Sequence, residues 1–441
     1  MCGISGVMSA QRGAVDKDVL ERANTTMKHR WPDASRVWVS ESKKIWFSHA
    51  RLSIVDVDHR SDQPFSIDNG DFVIVFNGEI YNYQLLKDTL IHQYNVVFTT
   101  TSDTEVLLYM YKHFGKDCLQ QIEWMFAFCI YDRKADLLFI ARDFVGQKPF
   151  VYSLVDNVFY FASEIPVLFS LCPHLSKDIN MDILQLYCID NLFHVPNNFC
   201  IFKHIHKLDH ATYMVVKDGN IIEQARYTTL HKKTLSSSED EVTFLYNKLE
   251  EMKPRDVEFA SFLSWGIDSS FICSGLKRHT DKKTDAYTLK IGPQDKDFER
   301  SIFVSEKLGV EQHIVDVDGF DMLASVNESI KILGEPYFHI TSVFADNILQ
   351  HVKKDHKVMF TGAGGDECYY GYNNKMFLCM DAYFRIKKCL PTFVIDFFNA
   401  VTKKKYATLL YAERDSFKEK YLLYHWDNIK YLFKKKEQQA W

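Results

Sequence analysis

The chain has 441 residues, 46% of them hydrophobic and 15% aromatic, and a formal net charge of −5. That length supports two or three domains with well-filled cores, and so mild a charge gives no argument for a nucleic-acid or membrane surface, though it leaves room for individual basic patches; small molecules are the expected partners. No uninterrupted run of about 18 apolar residues and no basic-then-apolar leader occurs, which points to a cytoplasmic protein.

"MCGISGVMSA" opens the chain with a cysteine directly after the initiator methionine. From there to about residue 230 the pattern is short β-rich runs between turns: "DFVIVFNGEIYNY" (71–83), "FAFCIYDRKADLLFIARD" (126–143) and "PFVYSLVDNVFYFASE" (149–164). Apolar stretches of this length and spacing predict antiparallel strands in packed sheets. "SDTEVLLYMYKHFG" (102–115) is the exception: Ser102 or Asp103 can cap it, Glu105 falls in the first turn and Gly115 follows the last apolar position, so it predicts a helix. "HKKTLSSSEDEV" (231–242) is polar, serine-rich and aperiodic, and is expected to link residues 1–230 to a second domain over 243–441.

Beyond it the grammar changes. "VEFASFLS" (257–264), "TDAYTLKIG" (284–292), "EQHIVDVD" (311–318) and "KVMFTG" (357–362) read as strands. Helical stretches alternate with them, as in "WGIDSSFICSGLKRH", "DFERSIFVSEKLG", "DMLASVNESIKILG" and "ITSVFADNILQHVKKD". Strand–helix alternation predicts an α/β domain with a parallel sheet covered on both faces. In such a sheet ligands sit at the carboxyl ends of strands, beside helix N-termini that favour anions. "SWGIDSS" (264–270) occupies that place, with Ser264, Gly266, Ser269 and Ser270 as donors for a pyrophosphate and Asp268 as a Mg²⁺ ligand. A second loop, "TGAGGDECYYGY" (361–372), follows another strand and offers Thr361, Gly362 and Asp366. Asp268 and Asp366 would be paired carboxylates bridged by the metal, an arrangement that fits adenylation. The ten cysteines, Cys2, Cys118, Cys129, Cys172, Cys188, Cys200, Cys273, Cys368, Cys379 and Cys389, show neither C-x-x-C nor zinc-like spacing and are expected mostly as reduced core thiols.

"SWGIDSS" resembles the S-G-G-L-D-S-S pyrophosphate loop of ATP pyrophosphatases, and "TGAGGDECYYGY" resembles the matching segment of asparagine synthetases. "MCGISG", "MKHRWPD", "ARLSIVD", "VFNGEIYNY", "TTSDTEVLL", "MFAFCIYDR", "ARDFVGQKPFVY" and "FASE" occur in the order they have in class II glutamine amidotransferases of the asparagine synthetase type. The likeness runs from residue 1 to about 375. It implies an α+β N-terminal sandwich of antiparallel sheets flanked by helices, of the Ntn type, followed by the nucleotide-binding α/β domain. It implies Cys2 as nucleophile, Asn77 and Gly78 at the oxyanion, Arg51 on the glutamine carboxylate, and Glu79 with Asp103 near its amino group. Once Met1 is removed, the thiol and a free α-amino group share one residue; an amine with a pKa near ~7.7–8.0 can take the thiol proton at neutral pH. By the same resemblance Phe262 and Ile291 flank the adenine, and the reaction uses glutamine, aspartate, ATP and Mg²⁺ to give asparagine, AMP, pyrophosphate and glutamate. A homodimer is compatible with it.

Three departures bear on this. Trp31, Trp124 and Trp265 each stand where the family has glycine. Glycine is also scarce, 18 of 441 residues, roughly 4% against a usual ~7%. Three identical replacements point to one cause, UGA codons read as glycine in the source organism. Ala363 stands where asparagine synthetases carry a glutamate near the reacting adenylate, with Glu335 of "LGEPYFHITS" remaining in the cleft. After about residue 380 no counterpart to the closing region of the synthetase domain is found, so that domain is expected to be incomplete, and 406–441 reads as an amphipathic helix ending in a basic run. Two other readings follow: a related ligase acting on another carboxylate, or a glutaminase joined to an inactive synthetase-like module.

Overall fold

A computed structural model describes residues 1–13, 16–30, 32–189, 195, 199–228, 238–278, 284–317, 319–337, 340–354 and 356–365. The chain divides into two compact units, Met1–Asn180 with Val195–Thr361, and Met181–His194 with Gly362–Trp441. In the second, the helix Met181–Ile189 and residues 362–365 are described. The stretch 406–441 lies outside the described residues.

In the first unit two six-stranded antiparallel sheets face each other. One runs His206–Lys207, Val151–Val155, Val158–Ala162, Gly3–Ser9, Ile45–Arg51, Ala34–Val39 from edge to edge. The other runs Asn220–Arg226, Thr212–Lys217, Leu137–Arg142, Trp124–Asp132, Phe72–Ile80, Phe65–Ile67. Ile4, Phe47 and Phe161 of the first meet Val75, Cys129 and Ile140 of the second. The outer face of the first is covered by the helices Lys17–Thr26 and Ile165–Leu171, that of the second by Tyr83–Tyr94 and Asp103–Phe114. Because both faces of each sheet are covered, a strand such as Phe72–Ile80 is buried on both sides over its first six residues and opens on the continuous apolar run FVIVF instead of alternating. The N-terminal strand packs so closely that a Cβ at Gly6 would lie 2.5 Å from the Phe161 ring and 2.6 Å from the Trp46 carbonyl oxygen. The glycines of "GISG" are therefore packing requirements, and they hold Cys2 at the strand's entrance.

Of the two capping choices for helix Asp103–Phe114, Ser102 takes the role, its hydroxyl accepting the Thr104 N–H at 3.1 Å. Gly115, at φ 54°, ends the helix. The polar stretch expected to be all linker is shorter: helix Ser238–Met252 begins inside it. Its apolar positions start only later, Tyr246 stacking on Phe271 at 4.7 Å and Leu249 buried against Gly275, so the first turn carries no periodicity to read.

The third sheet is parallel and four-stranded, in the order Glu311–Asp316, Asp285–Lys290, Glu258–Phe262, His356–Phe360. Helix Ile340–His351 lies on one face, against Ala260, Tyr287 and Val315. Helices Ile267–Lys277 and Lys296–Leu308 lie on the other, through Cys273, Leu308 and Ala286. This is the α/β architecture expected. Among the described residues no helix is long and apolar enough to cross a membrane.

Candidate active site

A cavity of about 270 Å³ opens along the strand Phe72–Ile80. The edge strand Phe65–Ile67 pairs only with Phe72–Ile74, so the edge-facing N–H groups beyond it need other partners. Gly78 stands opposite Phe126, and Phe126 spends both of its backbone groups on Asp143: it accepts the Asp143 N–H at 2.8 Å and donates to Asp143 Oδ2 at 3.3 Å. The Gly78–Phe126 pair is thus of the non-hydrogen-bonded kind, and alternation turns the N–H groups of Phe76, Gly78 and Ile80 to the open edge. Gln63 Oε1 accepts that of Phe76 at 2.6 Å and Asp103 Oδ2 that of Ile80 at 3.0 Å. The Gly78 N–H, between them, faces the cavity. A Cβ there would lie 2.3 Å from the Met125 carbonyl oxygen, so glycine is needed for the close approach of the two strands.

Residues two apart on a strand share a face, and Asn77 and Glu79 both line the cavity. The Asn77 side chain is 1% exposed and its Nδ2 has no hydrogen-bond partner among the described residues. Cys2 lines the same cavity, its sulfur 3.4 Å from the Leu52 nitrogen and 3.5 Å from its oxygen. Arg30 donates to the Cys2 carbonyl at 3.3 Å and is itself paired with buried Glu164. Ser163 accepts the Ile4 N–H at 3.0 Å. Arg51 is buried in the cavity wall; its guanidinium donates to Asp62 Oδ1 at 2.6 Å, to the Asp58 carbonyl at 2.9 Å and to the Asp56 carbonyl. Met1 also borders the cavity, as do Lys357, Val358 and Met359 of the parallel sheet; Lys357 reaches both carboxylate oxygens of Asp33 at 2.8 Å.

The site's charges are strongly perturbed. Burial, and next the charge of Asp103, pushes the Glu79 carboxyl up to about 7. Burial pushes Asp103 up to about 6 against the hydrogen bonds it accepts from Ile80 and Thr104. Burial likewise raises the Cys2 thiol and lowers the amino group of Met1. Cys2, Arg51, Asn77, Gly78, Glu79 and Asp103 are therefore brought together. Sequence reasoning missed Gln63, Arg30, Glu164 and Lys148, three of which lie inside quoted motifs, because nothing in a motif says which backbone group a side chain will serve.

At the carboxyl end of Glu258–Phe262, the Ser264 and Ser269 hydroxyls pair at 2.8 Å, Ser264 Oγ accepts the Gly266 N–H at 3.1 Å, and Ser270 donates to the Gly266 carbonyl at 2.7 Å. Asp268 lies in the first turn of the following helix. Phe262 packs into the sheet's core, while Ile291 is half exposed just past the neighbouring strand. The adjacent strand His356–Phe360 delivers Thr361 to the same edge; Gly362 opens the second unit, and Asp366 lies outside the described residues. Trp265 keeps an ordinary backbone conformation, with its half-exposed indole 4.3 Å beneath the Arg300 guanidinium, so the dihedral freedom of glycine is not what this position requires. Trp31 and the side chain of Trp124 lie outside the described residues. Glu335 is ion-paired: Gly334, at φ 79°, ends the helix Met322–Leu333 against Ile165 and Pro166, and Glu335 after it meets Lys207 in a partly buried pair.

Comparison with known proteins gives the context. Residues 1–228 match the glutamine amidotransferase domain family and residues 249–440 the asparagine synthase family, which carries the likeness well past residue 375. A putative glutamine-hydrolysing asparagine synthetase 2 of Methanocaldococcus jannaschii is 30% identical over 399 residues, covering 84% of this chain and 76% of that protein. Asparagine synthetase 1 of Bacillus subtilis is 29% identical over 389 residues, 85% of this chain and 59% of its own length. A Gibberella zeae protein named amidase chry2 is 28% identical over 412 residues, 85% of this chain and 60% of its own. The chain thus spans three-fifths to three-quarters of these relatives, and with both halves matched it belongs to the glutamine-hydrolysing asparagine synthetase family.

Proposed function

We propose that the chain hydrolyses glutamine at Cys2 and passes the ammonia to a carboxylate activated with ATP, aspartate being the acceptor and asparagine the product. The observation that carries this reading is the unpartnered Asn77 Nδ2 buried in the same cavity as the Cys2 sulfur. A buried donor without an acceptor is costly, and an oxyanion that forms only during reaction is the acceptor it suits. With Met1 removed, the Cys2 amine takes the thiol proton, sulfur bonds to the amide carbon, and the oxygen's new charge is held by Asn77 Nδ2–H and Gly78 N–H. Collapse returns the proton to the departing nitrogen, releasing ammonia and leaving a thioester that water converts to glutamate. The test is a paired assay: ammonia from glutamine, and AMP, pyrophosphate and asparagine in equal amounts when aspartate and ATP are added. No ammonia from glutamine overturns the reading.

Glu79 and Asp103 suit the substrate's ammonium only as carboxylates. Their raised values, about 7 and about 6, mean that they protonate as pH falls below neutral, so affinity is present above about pH 7 and lost below it. KM for glutamine is expected to rise by about tenfold between pH 7.5 and 6, and Glu79→Gln, with a high KM throughout, should show a flatter profile.

For the nucleotide, Ser264, Gly266, Ser269 and Ser270 would cradle the pyrophosphate, with Phe262 and Ile291 beside the adenine and Thr361 and Gly362 from the second loop. Asp268, whose carboxylate has no ion-pair or hydrogen-bond partner among the described residues, fits a Mg²⁺ ligand, with Asp366 as the second; the ion would neutralise charge on the phosphates. Trp265→Gly is expected to forfeit the stacking on Arg300, about 0.5–1 kcal/mol of stability, yet raise pyrophosphate release by opening the loop to close approach. Unchanged release in the variant would favour the glutaminase with an inactive module. Ala363, in place of the family glutamate, favours a second reading in which another carboxylate accepts the nitrogen; glutamine turnover with pyrophosphate release on that acceptor but none on aspartate would select it.

A further inference from the structure

Lys148 is buried, 7% exposed, at the wall of the cavity that holds Cys2, and nothing above gives it a task. Its ammonium has no carboxylate within 4 Å among the described residues; its one polar contact is the Met1 sulfur at 3.5 Å. A buried cation in that state is costly, and the chain invests heavily in keeping it there. Asp143 Oδ1 accepts the Val145 and Gln147 N–H groups at 3.2 and 2.9 Å, and Oδ2 that of Lys148 at 3.0 Å. Arg142 donates to the Lys148 carbonyl at 2.7 Å, to that of Gly146 at 2.7 Å and to that of Leu208. Gly146, at φ 72°, closes the turn in a conformation side chains rarely adopt, with Arg142 3.1 Å from where its Cβ would be. The segment "RDFVGQK" is thus a braced loop whose product is one ammonium group delivered into the cavity.

We infer that Lys148 is a positioning residue of the glutamine site, whose fixed charge keeps Glu79 ready for the substrate's ammonium and the Cys2 amine ready to take the thiol proton. This rests on the glutaminase reading given above. Met1 stands against the Lys148 ammonium, so its removal turns that charge toward the vacated space beside the new terminus. The charges that share the neighbourhood are the terminal amine and Cys2, Arg30, Glu79 and Asp143, with Arg51, Asp103 and Lys357 elsewhere on the wall. Arg30 is neutralised by Glu164, Arg51 by Asp62 and Lys357 by Asp33, leaving Lys148 as the unneutralised cation of the cavity among the described residues. A positive charge there stabilises a carboxylate at Glu79 and disfavours protonation of the amine, so both effects move the acid limb of glutamine turnover to lower pH.

The test is the pH profile of kcat/KM for glutamine in Lys148→Met and Lys148→Arg, with thermal stability measured in parallel. Lys148→Met is expected to shift the acid limb up by about one pH unit, costing about tenfold at pH 7, while Tm holds or rises because an unpaired buried charge is gone. Lys148→Arg is expected to keep the parent's limb. Should Lys148→Met not fold, Lys148→Gln, which keeps polarity without charge, carries the same expectation. A profile superimposable on the parent's, or activity lost only in proportion to unfolding, overturns the inference. A parent chain with no glutaminase activity instead sinks the function proposed above, and this role with it.

Discussion

Replacing Cys2 with alanine is expected to reduce ammonia release from glutamine by about 10⁴-fold or more, while any transfer from free ammonia to the acceptor is spared. The size of the effect follows from the state of the sulfur. Burial raises the Cys2 thiol, so it is no standing thiolate and must lose its proton at the moment of attack. No histidine borders the cavity among the described residues, so the α-amino group that Cys2 carries once Met1 is removed is the base at hand, its ordinary pKa near ~7.7–8.0 leaving part of it unprotonated at neutral pH. While Met1 remains, the Cys2 nitrogen is an amide and no such base exists. Mass analysis of the purified chain should therefore show activity only in molecules that begin at Cys2. The pair of assays decides the assignment: if the alanine variant loses ammonia-driven and glutamine-driven transfer together, Cys2 supports the fold and not the chemistry.

What the sequence disclosed and what it hid divide along a physical line. Helix Asp103–Phe114 was legible because its cap, its apolar period and its terminating glycine are all local. The strand Phe72–Ile80 was legible as a strand, and resemblance gave Asn77, Gly78 and Glu79 as an expected site; all three line one cavity. That the Gly78 N–H faces the cavity was not, since it depends on where another strand stops and on Asp143 claiming Phe126. Long-range bracing was equally hidden: Gln63 serves Phe76, and Glu164 serves Arg30, 134 positions apart. The partner of Glu335 was hidden too, since Lys207 lies in the other half of the sequence, 128 positions away. Trp265 stands where the resembled family has glycine, and the backbone at that position has no positive φ that would call for one.

Asn77→Ala is expected to separate stability from catalysis in opposite directions. The carboxamide is 1% exposed and its Nδ2 donates to nothing among the described residues, so the folded protein carries a desolvated donor worth about 1–3 kcal/mol of lost stability. Removing it relieves that cost and leaves a small void whose penalty is of similar size, so Tm is expected to stay level or rise slightly. The same donor is unsatisfied only until charge develops on the substrate oxygen. Loss of one such donor lowers kcat by about 10²–10³-fold, about 2.7–4 kcal/mol, with KM nearly unchanged because the ground-state carbonyl gains little from it. A neighbour on the same strand supplies the control. Gly78 donates through its backbone, which no substitution at 77 removes, so turnover in the variant should remain measurable above that of Cys2→Ala. A variant that instead lost stability in step with activity would mean that Nδ2 has a structural partner in solution, and the oxyanion would then need another donor along this edge.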